Sequence, residues 1–217
     1  MTGEAHDPPL AARGPVDAAL REEHPGLYIR SLEVDHGSGR TPRGLKRRLA
    51  GLSDRFGGPQ AIAFRTKPIP SAYRVFYRHI GLDPDVQRTP VEELALDRMK
   101  HGGFKSRSLL DDALTIAIIE SGVAMRAFDA DRANGRLGIR QTAARETLEG
   151  RPGPLPEGTL VIADEIRPLA LLFGATASGR GVSPKTVRTI LAAIQVKGVP
   201  DIAVEEALWL AASVMRA

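Results

Sequence analysis

The 217-residue sequence contains no cysteine, and this absence excludes a whole group of sites. Without a thiol there is no disulfide framework, thiolate zinc site, iron–sulfur cluster or cysteine nucleophile. The five histidines are scattered along the chain, and no two of them stand at the spacing of metal ligands. We therefore expect the protein to hold neither a metal nor another cofactor.

Long apolar runs are also missing, since no stretch of the sequence approaches the ~20 residues that cross a bilayer. Residues 1–15 are polar and proline-rich and lack the apolar segment of a signal peptide. We expect this segment to be a mobile tail, and the protein to be cytoplasmic with no membrane partner. Aromatic residues make up only 5% of the chain, too few to predict a stacking platform for single-stranded nucleic acid.

Basic residues outnumber acidic ones, with a net charge of +4 and a sequence pI near 9.7. Their distribution is uneven, because residues 42–56 combine a leucine stripe at helical spacing with many cations off that stripe. Such a face is either solvated or meets a polyanion such as a nucleic acid, whose phosphates attract lysine and arginine. The candidate phosphate contacts in this half of the chain are Arg43, Lys46, Arg47, Arg48, Arg74 and Arg78.

The remaining patterns favour an α+β fold in a single domain over residues 16–217. Helices are predicted over residues 16–24, 42–56, 71–80, 90–101, 109–121 and 204–215, and another is predicted to begin at Ser183-Pro184. Strands are predicted over residues 27–34, 135–141, 159–163 and 169–173. The segment after Gly122 that carries Arg126 is predicted to be a loop. The strands cluster without regular βαβ alternation, which argues against a doubly wound sheet.

Residues 108–146 carry an ordered set of short motifs: Asp112, Gly122, Ala127-Phe128-Asp129, Gly135, Arg140 and Glu146. Their order and spacing resemble the core of the B3/B4 domain of the phenylalanyl-tRNA synthetase β-subunit. A second block, Leu160-Val-Ile-Ala-Asp164 followed by Gly174 and Gly179, resembles the second half of that domain. The likeness covers residues 73–191 and implies a B3/B4-type fold of mixed β layers packed with helices, as in free-standing B3/B4 proteins.

Two positions depart from the family pattern, and they bear on the chemistry. The family has asparagine where this chain has Thr115, and histidine where it has Arg126. In the synthetase these positions line a pocket that hydrolyses wrongly charged tRNA. By this resemblance Arg126, Thr115, Glu146 and Glu165 are the residues expected to line an acyl pocket.

Arg126 cannot be the general base that a histidine could be, because a guanidinium stays protonated. It could bind a carboxylate or phosphate, or stabilise an oxyanion. It could instead be a structural residue paired with Asp129 or Glu146, a role that the frequency of arginine ion pairs favours. Both readings are compatible with the sequence.

The glycine-rich segment 174–186 could present backbone amides and cations to an anion. Its candidate residues are Arg180, Ser183 and Lys185. Arg180-Gly181 replaces the Lys-Ser/Thr pair of a P-loop, so nucleotide hydrolysis is not expected. An ordinary tight loop accounts for this segment equally well.

Our leading hypothesis is a tRNA-binding protein that hydrolyses mischarged aminoacyl-tRNA in trans; the chain is not a complete aminoacyl-tRNA synthetase. One alternative is a non-catalytic RNA-binding or interaction module. Another is a binder of a small amino-acid-like ligand, with Arg126 holding its carboxylate. The sequence leaves open whether the protein is an enzyme, which amino acid or tRNA it would take, and its oligomeric state.

Overall fold

Two antiparallel sheets and seven helices make up residues 11–216, the part of the chain that the computed structural model describes. The helices are α1 (Ala18–Glu23), α2 (Arg43–Arg55), α3 (Gly58–Phe64), α4 (Pro68–His79), α5 (Pro90–His101), α6 (Leu109–Ser121) and α7 (Asp201–Arg216). The strands are β1 (Ala12–Arg13), β2 (Tyr28–Val34), β3 (Ala124–Asp129), β4 (Gly138–Gln141), β5 (Leu160–Ala163), β6 (Pro168–Leu171) and β7 (Thr189–Gln195). The prediction of an α+β fold is confirmed.

The larger sheet has the strand order β1-β2-β7-β3, and the smaller one has the order β4-β5-β6. β7 is central in the larger sheet and pairs antiparallel with both β2 and β3. The side chains of both sheets contribute to one main hydrophobic core, together with the buried faces of α6 and α7. This arrangement fixes the positions of β3 and α6, the two elements that carry Arg126 and Thr115.

α6 is largely buried, and its Ile116 and Ala117 have no exposed surface. The Ser108 hydroxyl accepts a hydrogen bond from the backbone N–H of Asp111 at 3.1 Å, which satisfies a donor at the helix start. Gly122 ends the helix with a φ of 78°, a left-handed conformation that a side chain would disfavour. The predicted central helix is confirmed at both ends.

The helices predicted around residues 42–56, 71–80 and 90–101 are also present as α2, α4 and α5. At the start of α5 the Glu92 carboxylate accepts bonds from the Thr89 N–H at 3.2 Å and from its hydroxyl at 2.9 Å. This is the capping box that the sequence predicts. α3 was not anticipated, because its seven residues carry no strong periodic pattern.

The helix predicted to begin at Ser183-Pro184 is wrong, because this region forms a turn followed by strand β7. Val187, Ile190, Leu191 and Ile194 happen to stand at helical spacing, which suggested an amphipathic helix. A central strand covered on both faces is apolar throughout, and periodicity alone cannot separate such a run from a buried helix. Ladder hydrogen bonds from β2 and β3 decide the outcome.

The loop predicted around Arg126 is also wrong, since residues 124–129 form strand β3 along the edge of β7. The predicted tail 1–15 lies in part outside the described residues, and its last part is not a tail. Ala12–Arg13 pair with β2, the Gly14 N–H donates to the Ile29 carbonyl at 2.9 Å, and the Pro15 carbonyl accepts from the Ile139 N–H at 2.9 Å. These bonds hold the segment between the two sheets.

Candidate functional site

A cavity of about 570 Å³ lies where α4, α5 and α6 face β3 and the segment after β6. Its apolar lining includes Leu94, Phe104, Leu114, Ile118, Met125, Leu172, Phe173 and Ile194. Its charged residues are Arg88, Glu93, Asp97, Lys105, Arg107, Asp111 and Arg126. A cavity of this size, lined by both apolar and charged side chains, could hold a small molecule.

Arg126 projects from β3 into this cavity, and its guanidinium is held by backbone carbonyls. It donates to the carbonyl of Leu171 at 2.5 Å, to the carbonyl of Gly174, and more weakly to the Thr176 hydroxyl at 3.4 Å. Within residues 11–216 it makes no ion pair, so the structural pairing with Asp129 or Glu146 is wrong. Burial lowers the pKa of this guanidinium, because desolvation disfavours the charged form.

Thr115 also lines the cavity, from the face of α6 that is turned towards β3. Its hydroxyl donates to the carbonyl of Asp111 one turn earlier, at 2.7 Å. That bond uses the only hydroxyl proton, so the Thr115 oxygen can act towards a ligand only as a hydrogen-bond acceptor. The structure thus brings Thr115 and Arg126 to one cavity, as the resemblance implied.

Glu146 and Glu165 do not line this cavity, so the four expected residues do not share one pocket. Glu146 forms a two-pronged ion pair with Arg140, with N–O distances of 2.8 and 2.5 Å, and accepts from the Ala143 N–H at 3.0 Å. Glu165 is exposed and accepts from the Arg136 N–H at 3.3 Å beside Gly135. Both carboxylates stabilise turns of the smaller sheet.

Six charged cavity residues were missed by reasoning from the sequence: Arg88, Glu93, Asp97, Lys105, Arg107 and Asp111. Glu93 follows Glu92 in the first turn of α5, where acidic residues are common because they favour the helix dipole. Lys105 and Arg107 lie in the connection between α5 and α6. Only the packing of α5 and this connection against β3 identifies them as neighbours of Arg126.

Arg74 is not a phosphate contact, contrary to the prediction, because it is buried on α4. Its guanidinium pairs with Glu92 at 2.6 Å and with Asp85 at 2.8 Å. Arg65 joins the same two carboxylates, so this cluster ties α3, α4 and α5 together. Arg78, one turn further along α4, is exposed.

The cations of α2 are on its exposed face. Arg43, Lys46 and Arg47 are exposed, and among the described residues their side chains form no ion pair. Arg48 is exposed as well, but it pairs with Glu120 of α6 at 3.1 Å. The first three of these cations are therefore available to a polyanion.

The 174–186 segment is a tight loop held by its own side chains. Arg180 is bound to Glu149 at 2.8 Å and to the carbonyl of Arg132 at 2.9 Å. The Ser183 hydroxyl accepts from the Lys185 N–H at 3.2 Å. Lys185 is exposed, and only its backbone takes part in these bonds. Of the three predicted anion-binding residues of this loop, it is the one whose side chain is not engaged in them.

Across residues 11–216, no group of three or more His, Cys, Asp or Glu side chains is placed to hold a metal ion. No helix in this part of the chain is long and apolar enough to cross a membrane.

Residues 72–205 match the family model of the B3/4 domain, and the chain belongs to this family. The match begins within α4 and ends within α7, so it includes every residue that lines the cavity. It confirms the resemblance drawn from the two motif blocks and extends it towards the C-terminus.

The chain is similar to phenylalanine–tRNA ligase β subunits. It is 38% identical to that of Xanthomonas oryzae pv. oryzae over 94 residues, which are 42% of this chain and 12% of the relative. It is 40% identical to that of Neisseria meningitidis over 101 residues, which are 44% of this chain and 13% of the relative. The chain thus spans only about an eighth of the length of these curated relatives.

Proposed function

We propose that this protein binds tRNA and hydrolyses the ester of a mischarged aminoacyl-tRNA in the cavity that holds Arg126 and Thr115. The observation that carries this proposal is the cavity itself: a partly apolar pocket that contains the guanidinium of Arg126 and is lined by further cations, in a domain shared with subunits of a tRNA ligase. A protein that acts on charged tRNA would work in the cytoplasm.

The chemistry would be attack by water on the ester carbonyl. The water oxygen forms a bond to the carbonyl carbon, the carbon–oxygen bond to the ribose breaks, and the ribose oxygen takes the proton. Negative charge develops on the carbonyl oxygen during attack, and the N–H groups that Arg126 does not use on Leu171 and Gly174 can stabilise it. The Thr115 oxygen can accept a bond from the α-ammonium of the aminoacyl group.

Phosphates of the tRNA would meet two sets of cations. Arg88 and Lys105 line the cavity and form no ion pair within the described part of the chain, so they are free to contact the acceptor end. Arg43, Lys46 and Arg47 on α2 offer a second basic surface. Arg78 and Lys185 are further exposed cations, whereas Arg74 and Arg180 are occupied by carboxylates.

Deacylation of a panel of mischarged tRNAs by the purified protein tests this function. We expect at least one aminoacyl-tRNA to be hydrolysed faster than background, and Arg126→Ala to reduce that rate about 100-fold or more, as for loss of an oxyanion donor. Arg151→Ala, which removes an exposed arginine outside the cavity, should leave the rate unchanged. Background rates on every aminoacyl-tRNA would contradict hydrolysis in trans.

A non-catalytic RNA-binding module is the second candidate, and the observation that favours it is the chemistry of Arg126. The guanidinium cannot accept a proton from water, so the cavity has no base at the position where the family has histidine. Tight, steeply salt-dependent binding of tRNA with no turnover would support this candidate.

A further inference from the structure

A second cavity, of about 510 Å³, borders the segment that follows β6. It shares Leu172, Phe173 and Gly174 with the cavity that holds Arg126 (the first cavity), so these three residues form a common wall. Its other walls come from the end of α1, the end of α4 and parts of β4 and β5. Arg126 and Thr115 line the first cavity only, so ester hydrolysis leaves the second cavity without a role.

One part of the second cavity is apolar. It includes Ile80, Leu82, Leu160, Leu171 and Phe173. The Phe173 ring packs against the Tyr77 ring, with 4.6 Å between their centroids, and this contact holds it in place. A hydrocarbon group that covers such a surface gains roughly 25 cal/mol per Å² of apolar area. A ligand that fits this cavity therefore has an apolar body.

The charge of the second cavity has one sign. Glu23, at the end of α1, and Glu157, in the connection between β4 and β5, both line it. Among the described residues that line this cavity, none is a lysine or an arginine. The two carboxylates therefore repel an anion and attract a cation. Both are exposed, so each contributes only modestly to binding.

His24 brings a buried imidazole to the second cavity. Its side chain is only 11% exposed, and its ring packs edge-on against Phe76 with 5.2 Å between the centroids. The Nε2 atom lies 3.7 Å from the Glu23 carboxylate, too far for a hydrogen bond, and within residues 11–216 the ring makes no hydrogen bond. A buried polar group without a partner costs free energy, which a ligand that donates to it recovers.

The other polar groups of this cavity act mainly as acceptors. The Thr159 hydroxyl donates to the Pro156 carbonyl at 2.7 Å, so towards a ligand its oxygen can only accept. The Gln87 amide donates to the Phe173 carbonyl at 2.9 Å, and in the described part of the chain its own oxygen accepts no bond. With the two carboxylates, these oxygens match a ligand that is rich in donors.

We propose that the second cavity binds an organic amine, with its ammonium group towards His24 and the two carboxylates and its apolar body on the leucine-rich part. An ammonium supplies three donors and a positive charge, and a neutral imidazole has one nitrogen that accepts. Such a ligand needs no carboxylate, ester or tRNA. The site is therefore separate from the proposed hydrolysis and can be tested without it.

Isothermal titration calorimetry of the whole protein with phenethylamine provides the test. Phenethyl alcohol lacks the positive charge, hydrocinnamate carries a negative charge instead, and ethylamine lacks the ring. We expect phenethylamine to bind, and each of the three analogues to bind about tenfold or more weakly, the effect of losing a charged hydrogen bond or the apolar contact.

Variants assign the two kinds of contact. The double variant Glu23→Gln/Glu157→Gln should weaken binding of phenethylamine about fivefold, as for two exposed charges, and leave that of phenethyl alcohol unchanged. Glu22→Gln, an exposed neighbour on α1 that does not line the cavity, is the matched control and should change neither. His24→Phe keeps a ring against Phe76 but removes its nitrogens, and it should weaken binding of the amine about tenfold.

Glu93→Gln distinguishes the two cavities, because Glu93 lines only the first. We expect this variant to bind phenethylamine like the parent protein. Melting temperatures show whether His24→Phe remains folded. If it does not, the double variant decides, since both of its side chains are exposed.

Three results would overturn the inference: equal affinity for phenethylamine and phenethyl alcohol, no binding of phenethylamine at millimolar concentration, or its loss in Glu93→Gln, which would place the amine in the first cavity. Deacylation assays have no bearing on this site. Failure of deacylation would leave the amine site standing, and failure of amine binding would leave the proposed function standing.

Discussion

Each arginine of this protein takes its role from the groups that surround its guanidinium. Arg74 pairs with two carboxylates and joins three helices. Arg126 is bonded to carbonyls, so its charge is not neutralised and lies in the cavity. Arg47 is exposed to solvent. All three are the same residue type in basic or mixed sequence surroundings. Whether an arginine has a structural role or remains available for binding therefore depends on the groups near it in space, and not on its neighbours in the sequence.

Replacing Arg74 should destabilise the protein strongly. In Arg74→Met the buried carboxylate of Glu92 loses its contact at 2.6 Å and keeps that of Arg65 at 2.9 Å, which costs about 1.5–3 kcal/mol, the value of a hydrogen bond to a charged group. Arg78→Met, one turn along the same helix, removes an exposed charge and should change the free energy of unfolding by less than about 0.5 kcal/mol. Urea unfolding of the two variants measures both free energies. A change for Arg74→Met as small as that for Arg78→Met would contradict a stabilising role for the Arg74–Glu92 pair.

Glu146→Gln should lower stability near neutral pH but not in strong acid. The hydrogen bonds from Arg140 hold the pKa of Glu146 below its usual value of 4.5. A depressed pKa contributes stability that is present above about pH 4.5 and is lost as the pH falls through the folded-state pKa. The difference from the parent protein, about 1 kcal/mol at pH 7, should therefore shrink below pH 4.5.

Unfolding curves of the Glu146→Gln variant at pH 7 and at pH 3 provide this measurement. Glu206→Gln, an exposed carboxylate of α7, is the control and should show little difference at either pH. A difference that grows towards acid would contradict the assigned sign.

At the scale of elements, β7 organises the larger sheet because it receives a strand on each side. Its ladder partners, β2 and β3, come from much earlier in the chain. β3 in turn holds Arg126 at the cavity, so the position of the guanidinium depends on a pairing with a distant strand. Helix ends, by contrast, are set by adjacent residues such as Ser108 and Gly122.

Paired substitutions in this region distinguish a strand from a helix. Leu191 is fully buried in β7, whereas Val187 in the preceding turn is 64% exposed. Leu191→Ala should cost about 2–5 kcal/mol through lost burial and a cavity, and Val187→Ala less than about 0.5 kcal/mol. An amphipathic helix with both residues on its apolar face would make both changes costly, which chemical denaturation would reveal.

At the scale of the whole molecule, the cavity is assembled from segments that lie far apart in the sequence. α4, α5 and α6 supply one side, and β3, β7 and the segment after β6 supply the other. The cations at its mouth come from the connections before α5 and before α6, while the basic face of α2 is a separate set. Two surfaces can therefore be tested independently for contact with phosphates.

Removing cations should reduce the salt dependence of tRNA binding at the surface that is used. Each phosphate contact that is lost lowers the slope of log affinity against log salt by about 0.7–0.9. If tRNA phosphates contact the cavity mouth, the double variant Arg88→Ala/Lys105→Ala should lower this slope by about 1.5. If they contact α2, the triple variant Arg43→Ala/Lys46→Ala/Arg47→Ala should lower it by about 2.4.

Fluorescence titrations at several salt concentrations measure these slopes. Lys197→Ala/Arg216→Ala removes two exposed cations outside both surfaces and serves as the control. Unchanged slopes in both test variants would contradict phosphate contacts at either place.

Much of this protein could be predicted from its sequence because the relevant signals are local or belong to the family pattern. Capping residues and apolar periodicity define α2, α5 and α6, and two ordered motif blocks indicate the B3/4 domain. These features depend on residues within a few positions of each other, or on the order of short motifs along the chain.

Only the tertiary structure decided which residues meet. Thr115 and Arg126 line one cavity, and Glu93 lines it with them. Glu146, expected in the cavity, and Arg74, expected to contact phosphate, are each held elsewhere by an opposite charge. The tertiary structure also made residues 189–195 a strand, although their apolar spacing fits a helix. The physical reason is the same in each case, because ion pairs, burial and sheet hydrogen bonds join groups that are close in space and distant along the chain.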